Sequence, residues 1–207
     1  MKTSVVMMLR MPPEMPVSSA PNAGDTRERL LTAAQRLFRK RGYHATGLSD
    51  ILDAALAPKG SLYHHFPGGK EAIGVCVVEK VSSGLLGLLA QSRARSTKAV
   101  LLKTGAQMLS SMEKTNYELC TLFAAFSAER KTSPQLGQAV TQAYGDLTAA
   151  LQALLVRDGL TARSAKDKAL LVTALMEGSL LLSQAQSDST AFKLALKEAA
   201  RICRISP

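Results

Sequence analysis

From residue 25 onward the apolar positions return with a period near 3.6 and not near 2, so the chain predicts helix after helix. Leu30, Ala34, Leu37 and Phe38 form the inner face of a first helix over about 26–41, and Arg29, Arg36 and Lys40 form an outer one. Asp25, with Glu28 three residues on, is placed to cap it, and Gly42 ends it. Leu48, Ile51, Leu52 and Ala55 recur at i, i+3, i+4 and i+7, giving a second helix that starts at Thr46 or Gly47 and stops near Leu56. Pro58 sits where a helix start tolerates proline, and a short third helix reaches about His65. Two brief helices joined by about three residues match a helix-turn-helix.

Gly68 and Gly69 break the chain before a long fourth helix over about 70–89, with Ile73, Val77, Val81, Leu85 and Leu88 as its buried stripe. Further helices are expected near 96–114, 117–130, 134–157, 164–186 and 190–204. Ser133-Pro134 reads as a cap and first-turn proline, Ser164 with Asp167 as a capping box, and Gly159 as a stop. Strand-like alternation is absent. The expected class is all-α: a three-helix unit with a helix-turn-helix over 25–70, then a larger helical unit over 71–207. Residues 1–24, with four of the eight prolines, read as a flexible tail.

Composition narrows the partners. A hydrophobic share of 46% excludes a disordered chain. No run of about 18 unbroken apolar residues occurs. The stretch 170–182 is cut by Glu177, and Arg10, Pro12 and Pro13 interrupt a secretory signal, so a cytoplasmic protein without membrane contact is expected. Cys76, Cys120 and Cys203 are far apart and odd in number, as expected of reduced thiols. The net charge of +10 suits a polyanionic partner. Yet residues 25–70 hold eight basic and four acidic residues, less than half of that excess, so the local pattern must decide.

That pattern lies in Lys59-Gly60-Ser61-Leu62-Tyr63-His64-His65-Phe66. Leu62 and Phe66, four apart, face inward, leaving Lys59, Ser61, Tyr63 and His64 outward. A cation, a hydroxyl, a phenol and an imidazole offer donors to phosphates and major-groove edges, and Gly60 lets backbone come close. A merely solvated polar face is the plain alternative. Adjacent histidines on a helix diverge by about 100° and share an ion poorly, so no metal is expected of His44, His64 and His65. No P-loop, GxSxG, HExxH or dinucleotide fingerprint is present, which leaves enzymatic activity and cofactors without residues to rest on.

Leu37-Phe38, Gly42-Tyr43, Thr46, Asp50-Ile51, Ala55, the segment 59–66 and Lys70-Glu71 together resemble the DNA-binding domain of TetR/AcrR-type transcriptional regulators in one register. The stretch 57–72, and Leu175-Met176-Glu177-Gly178-Ser179-Leu180-Leu181-Leu182 followed by Ala185, are most similar to the LmrA/YxaF-like branch. The resemblance implies an all-helical homodimer. Its first three helices bind double-stranded operator DNA, its fourth links them to a ligand-binding core, and its last two long helices meet the partner subunit. It assigns Lys59, Gly60, Ser61, Tyr63 and His64 to DNA, with His65 packing inward. It makes Thr46 a cap whose hydroxyl or neighbouring amide also touches phosphate, and Lys70 a phosphate-binding lysine. The chain departs from the pattern at Leu56, where glycine is usual in the turn, and at Gly47, where Ser or Thr is common.

For a small-molecule effector, Met108, Met112, Leu119, Phe123, Phe126, Tyr144 and Met176 lie on predicted inner faces, with Tyr117, Cys120 or Glu129 as polar contacts. An ordinary core is the alternative for each. A Met-rich lining suits a hydrophobic or aromatic effector. Ala174, Gly178 and Ala185 let helices approach closely, and with Glu177, Leu181 and Leu196 they are the expected dimer seam; Glu177 pairs there, reaches the pocket or closes a local network. The expected function is a repressor released from a palindromic operator by its effector. An activator of the same fold, or a helical small-molecule-binding protein without a DNA role, are the alternatives.

Overall fold

The computed structural model describes residues 23–92, 94–117 and 122–204. The expected tail and the candidate pocket residues Leu119 and Cys120 lie outside them. Among the described residues the chain is helical and has no strand: α1 (Ala23–Arg41), α2 (Leu48–Ala55), α3 (Lys59–His65), α4 (Gly69–Ala90), α5 (Thr97–Lys114), α6 (Leu122–Ser127), a 3-10 turn (Ala128–Lys131), α7 (Pro134–Arg157), α8 (Ala162–Gln186) and α9 (Thr190–Ile202).

The predicted inner faces close the first unit. Leu30, Ala34 and Phe38 of α1, Ile51 of α2 and Leu62 of α3 are fully buried against one another, with Phe66 beneath. The turn between α2 and α3 holds despite its missing glycine. Leu56 itself adopts the left-handed conformation, φ 50° and ψ 46°, and its N–H donates to Asp53 and Leu52 carbonyls. Its side chain is 83% exposed, so the conformation is held without burying it.

α4 runs on from this unit and packs along α7 and against α1. By length and composition α4 passes for a membrane span, but Ile73, Val77 and Val78 are buried in the protein's own core. α7 and α8 pack as a long pair, and α9 lies over α8 and α5. The expected boundary at residue 70 falls in the first turn of α4, and the core does not break there. Leu122, Phe123 and Phe126 of α6 and Leu136, Val140 and Ala143 of α7 belong to the same cluster as α1–α3.

Several local expectations change. α1 begins at Ala23, which puts Asp25 inside the helix and not at its cap. Thr161, not Ser164, caps α8: its hydroxyl accepts the Ser164 N–H at 3.3 Å. Ser133 precedes α7 without a side-chain cap bond, because its hydroxyl meets the Tyr43 hydroxyl at 3.4 Å. The helix expected over 117–130 is shorter, with Asn116 and Tyr117 at φ 47° and 62° before α6.

Candidate DNA-binding surface and ligand cavity

α3 is anchored by Leu62 and Phe66 and shows its other side to solvent. Lys59, Gly60, Tyr63 and His64 are exposed, Tyr63 at 61%, while Ser61 and His65 are half-buried. The Ser61 hydroxyl donates to the Pro58 carbonyl at 2.6 Å, closing the first turn. A Cβ added at Gly60 would meet nothing within 4 Å, so nothing inside the protein requires glycine there.

The Thr46 hydroxyl is not part of this surface. The residue is completely buried and its hydroxyl donates to the Gly42 carbonyl at 2.8 Å, so its side chain holds the turn and cannot reach a phosphate. The cap of α2 is Gly47, whose N–H donates to the Asp50 carboxylate at 2.8 Å. Lys70 opens α4 with its ammonium 4.4 Å from the Tyr43 ring centre and 3.4 Å from the His44 carbonyl oxygen. Burial first, partly offset by Glu129, holds its pKa below the ordinary lysine value. An ammonium has three donors, so these contacts leave others for an anion.

The same turn is latched to the 3-10 segment. The buried Glu129 carboxylate accepts from His44 Nε2 at 2.6 Å and from the Thr132 hydroxyl at 3.0 Å. Glu71, in the first turn of α4, accepts the Gln135 N–H at 3.0 Å. Phe126 inserts between them, its ring 5.3 Å from Phe38 and 5.7 Å from Tyr43. Glu129 and Phe126 therefore belong to this junction and not to a pocket, because α6 turns Phe126 toward α1 and Glu129 follows in the 3-10 turn.

The opposite side of α6 faces a cavity of about 240 Å³. Val81, Leu85 and Leu88 of α4, Met108 and Met112 of α5, Phe123 of α6 and Leu180 of α8 give it an apolar wall. Arg39 of α1, Gln107, Ser111 and Glu177 add polar groups. Of the expected lining, Met108, Met112 and Phe123 are there. Tyr144 stands behind, stacked edge-on to Phe123 at 5.4 Å and hydrogen-bonded to Glu177. Met176 packs in the core between α8 and its neighbours and does not line the cavity. Arg39 was not expected: only the docking of α1 beside α6 brings it to the wall.

The expected seam divides as well. Ala174, Gly178, Leu181 and Ala185 are exposed along one face of α8, with Leu170, Leu171 and Leu182 beside them. Glu177 points the other way, into the cavity. Leu196, on α9, is half-buried and packs against Gly105 of α5. α7 adds exposed Gly145, Ala149, Ala153 and Val156.

Comparison with known proteins decides what carries this surface. The family model for bacterial regulatory proteins of the tetR family matches residues 30–73, and the transcriptional regulator LmrA/YxaF-like C-terminal domain matches residues 98–198. The HTH-type transcriptional regulator LmrA of Bacillus subtilis is 33% identical over 173 residues, 81% of this chain and 90% of that protein. The chain belongs to the TetR family of transcriptional regulators. The HTH-type transcriptional repressor NemR of Escherichia coli is 48% identical over 56 residues, 27% of this chain and 28% of that protein. The crystal structure of its reduced form superposes with a TM-score of 0.70 at 28% identity, covering 86% of this chain and 96% of that one. A TetR regulator from Legionella pneumophila gives 0.77 at 23% identity, covering 90% and 98%, which shows the common fold. This TetR-family protein is thus a DNA-binding transcriptional regulator and not an enzyme.

Proposed function

We propose that this regulator is a homodimeric repressor, released from a roughly palindromic operator by a small apolar effector. The observation that carries the reading is the two-sided placement of α6. Phe123 lines the cavity while Phe126, three residues on, wedges into Phe38 and Tyr43 of the DNA-binding unit. A ligand that displaces Phe123 acts on Phe126 through one rigid helical turn. Arg39 puts α1 itself on the cavity wall. An effector that binds better when the DNA-binding units are wrongly spaced shifts the population off DNA.

Lys59, Gly60, Ser61, Tyr63 and His64 of α3, with Lys70 at the start of α4, are the proposed DNA contacts. The apolar stripe of α8 supports a dimer, since Leu170 and Leu171 are 62% and 54% exposed in the isolated chain. Two α3 helices then enter successive major grooves about 34–36 Å apart. The relative named as a repressor supports the sign of the output. Footprinting on the region upstream of its own gene tests the reading. Tyr63→Ala should weaken operator binding by about 1–3 kcal/mol and leave the dimer intact. Unchanged affinity in that variant, or no preference over random duplex at moderate salt, overturns it.

A further inference from the structure

One ionisable group in the cavity has no structural reason to be an acid. Glu177 stands among Leu85, Met108, Met112, Phe123 and Leu180, and its helix carries no basic residue between Lys168 and the end of α8. The Tyr144 phenol donates to it. Burial, only partly offset by that bond, holds its pKa above the ordinary glutamic acid value. Among the described residues no ion pair joins Glu177 to Arg39, the cation on the same wall. A glutamine would accept the same hydrogen bond at less desolvation cost.

We propose that the effector is a small lipophilic cation, a protonated amine on an apolar body, whose ammonium donates to the Glu177 carboxylate. This rests on the effector reading above and names its ligand class. An anion is repelled by the ionised carboxylate and finds only a single neutral donor at the protonated one. A neutral donor gains one ordinary hydrogen bond. A cation gains a charge-assisted one in a low-dielectric cleft. A volume of about 240 Å³ falls below the usual drug-sized pocket, so the body is small. The binding step is proton-coupled: whatever fraction of Glu177 is protonated gives its proton to the buffer, and the carboxylate formed pairs with the ammonium. No other bond is made or broken.

Isothermal titration calorimetry of the full-length protein tests this with 4-phenylbutylamine, 4-phenylbutanol and 4-phenylbutyrate as probes, in ACES and in phosphate. The amine should bind at least ten-fold more tightly than the alcohol and than the butyrate, and should release more protons as the pH is lowered. Glu177→Gln, nearly isosteric, should erase the amine's advantage and the proton release. Tyr144→Phe removes the donor that favours the carboxylate and should raise the protons released per amine. Equal binding of amine and alcohol, or an advantage that survives Glu177→Gln, overturns the cation class while the effector site stands. If none of the probes binds, and no library of apolar compounds shifts the melting temperature or releases the operator, the effector reading falls with it.

Discussion

Leu56 shows what a single position costs and what it leaves intact. A residue with a Cβ in the left-handed region is strained by roughly 1–2 kcal/mol, part of which a glycine would return as extra freedom in the unfolded chain. Leu56 is exposed, so no packing is lost on its removal. Leu56→Gly should therefore stabilise the protein by about 0.5–1 kcal/mol, read from urea unfolding, without moving α3. Gly60 is the opposite case. A Cβ there meets no neighbour, and alanine is the better helix former by about 0.5–1 kcal/mol. Gly60→Ala should raise the melting temperature yet weaken operator binding, because the added methyl stands where DNA backbone would approach. A variant that gains stability with unchanged affinity would show that α3 keeps its distance at that point.

At the scale of elements, α6 and the 3-10 turn tie the cavity to the DNA-binding unit. The tie has an apolar half, Phe126 against Phe38 and Tyr43, and a polar half, His44 with Glu129. His44 is mostly exposed, whereas Glu129 is not, so the pair matters chiefly for the carboxylate it satisfies. His44→Ala leaves Glu129 with the Thr132 hydroxyl and should cost about 1–2 kcal/mol in thermal unfolding. Operator affinity should fall as well, although His44 is not proposed to touch DNA, because Lys70 rests on the backbone carbonyl of residue 44, which the imidazole–Glu129 contact holds in place. Phe126→Ala opens a hole in a fully buried cluster and should cost about 3–5 kcal/mol.

Over the whole molecule, the end far from α3 is fastened by Asp158. Its carboxylate accepts the Thr97 N–H at 2.5 Å and the Arg157 guanidinium at 2.9 Å, joining the end of α7 to the start of α5. Burial alone would raise its pKa, but the Thr97 and Arg157 contacts outweigh it and the net shift is downward. The stability it contributes is present above the unfolded value of 3.8 and is lost as the pH falls through the lower folded value. Asp158→Asn should lower the melting temperature at neutral pH, and the deficit should shrink as the pH falls below 3.8; a deficit that does not change with pH would mean that packing, not charge, fastens this end. DNA binding by the dimer should weaken steeply with salt as counterions return to the phosphates.

The sequence by itself determined the helical class, the order of the helices and the outward row on α3. Each follows from a short-range spacing: inward Leu62 and Phe66 oblige Tyr63 and His64 to face away. It also exposed the small-residue stripe on α8, for the same reason. What only the tertiary structure decided is where a helix face meets another chain segment. Phe123 and Phe126 look alike along the chain, yet one borders a cavity and the other a neighbouring unit, because α1 docks on only one side of α6. Glu177 sits one residue from the exposed stripe and turns into the protein, since one step along a helix rotates a side chain by about 100°. Thr46 carries a hydroxyl suited to phosphate, and burial alone commits it to Gly42. Local periodicity fixes directions about one axis, and the packing of axes against each other supplies the partners.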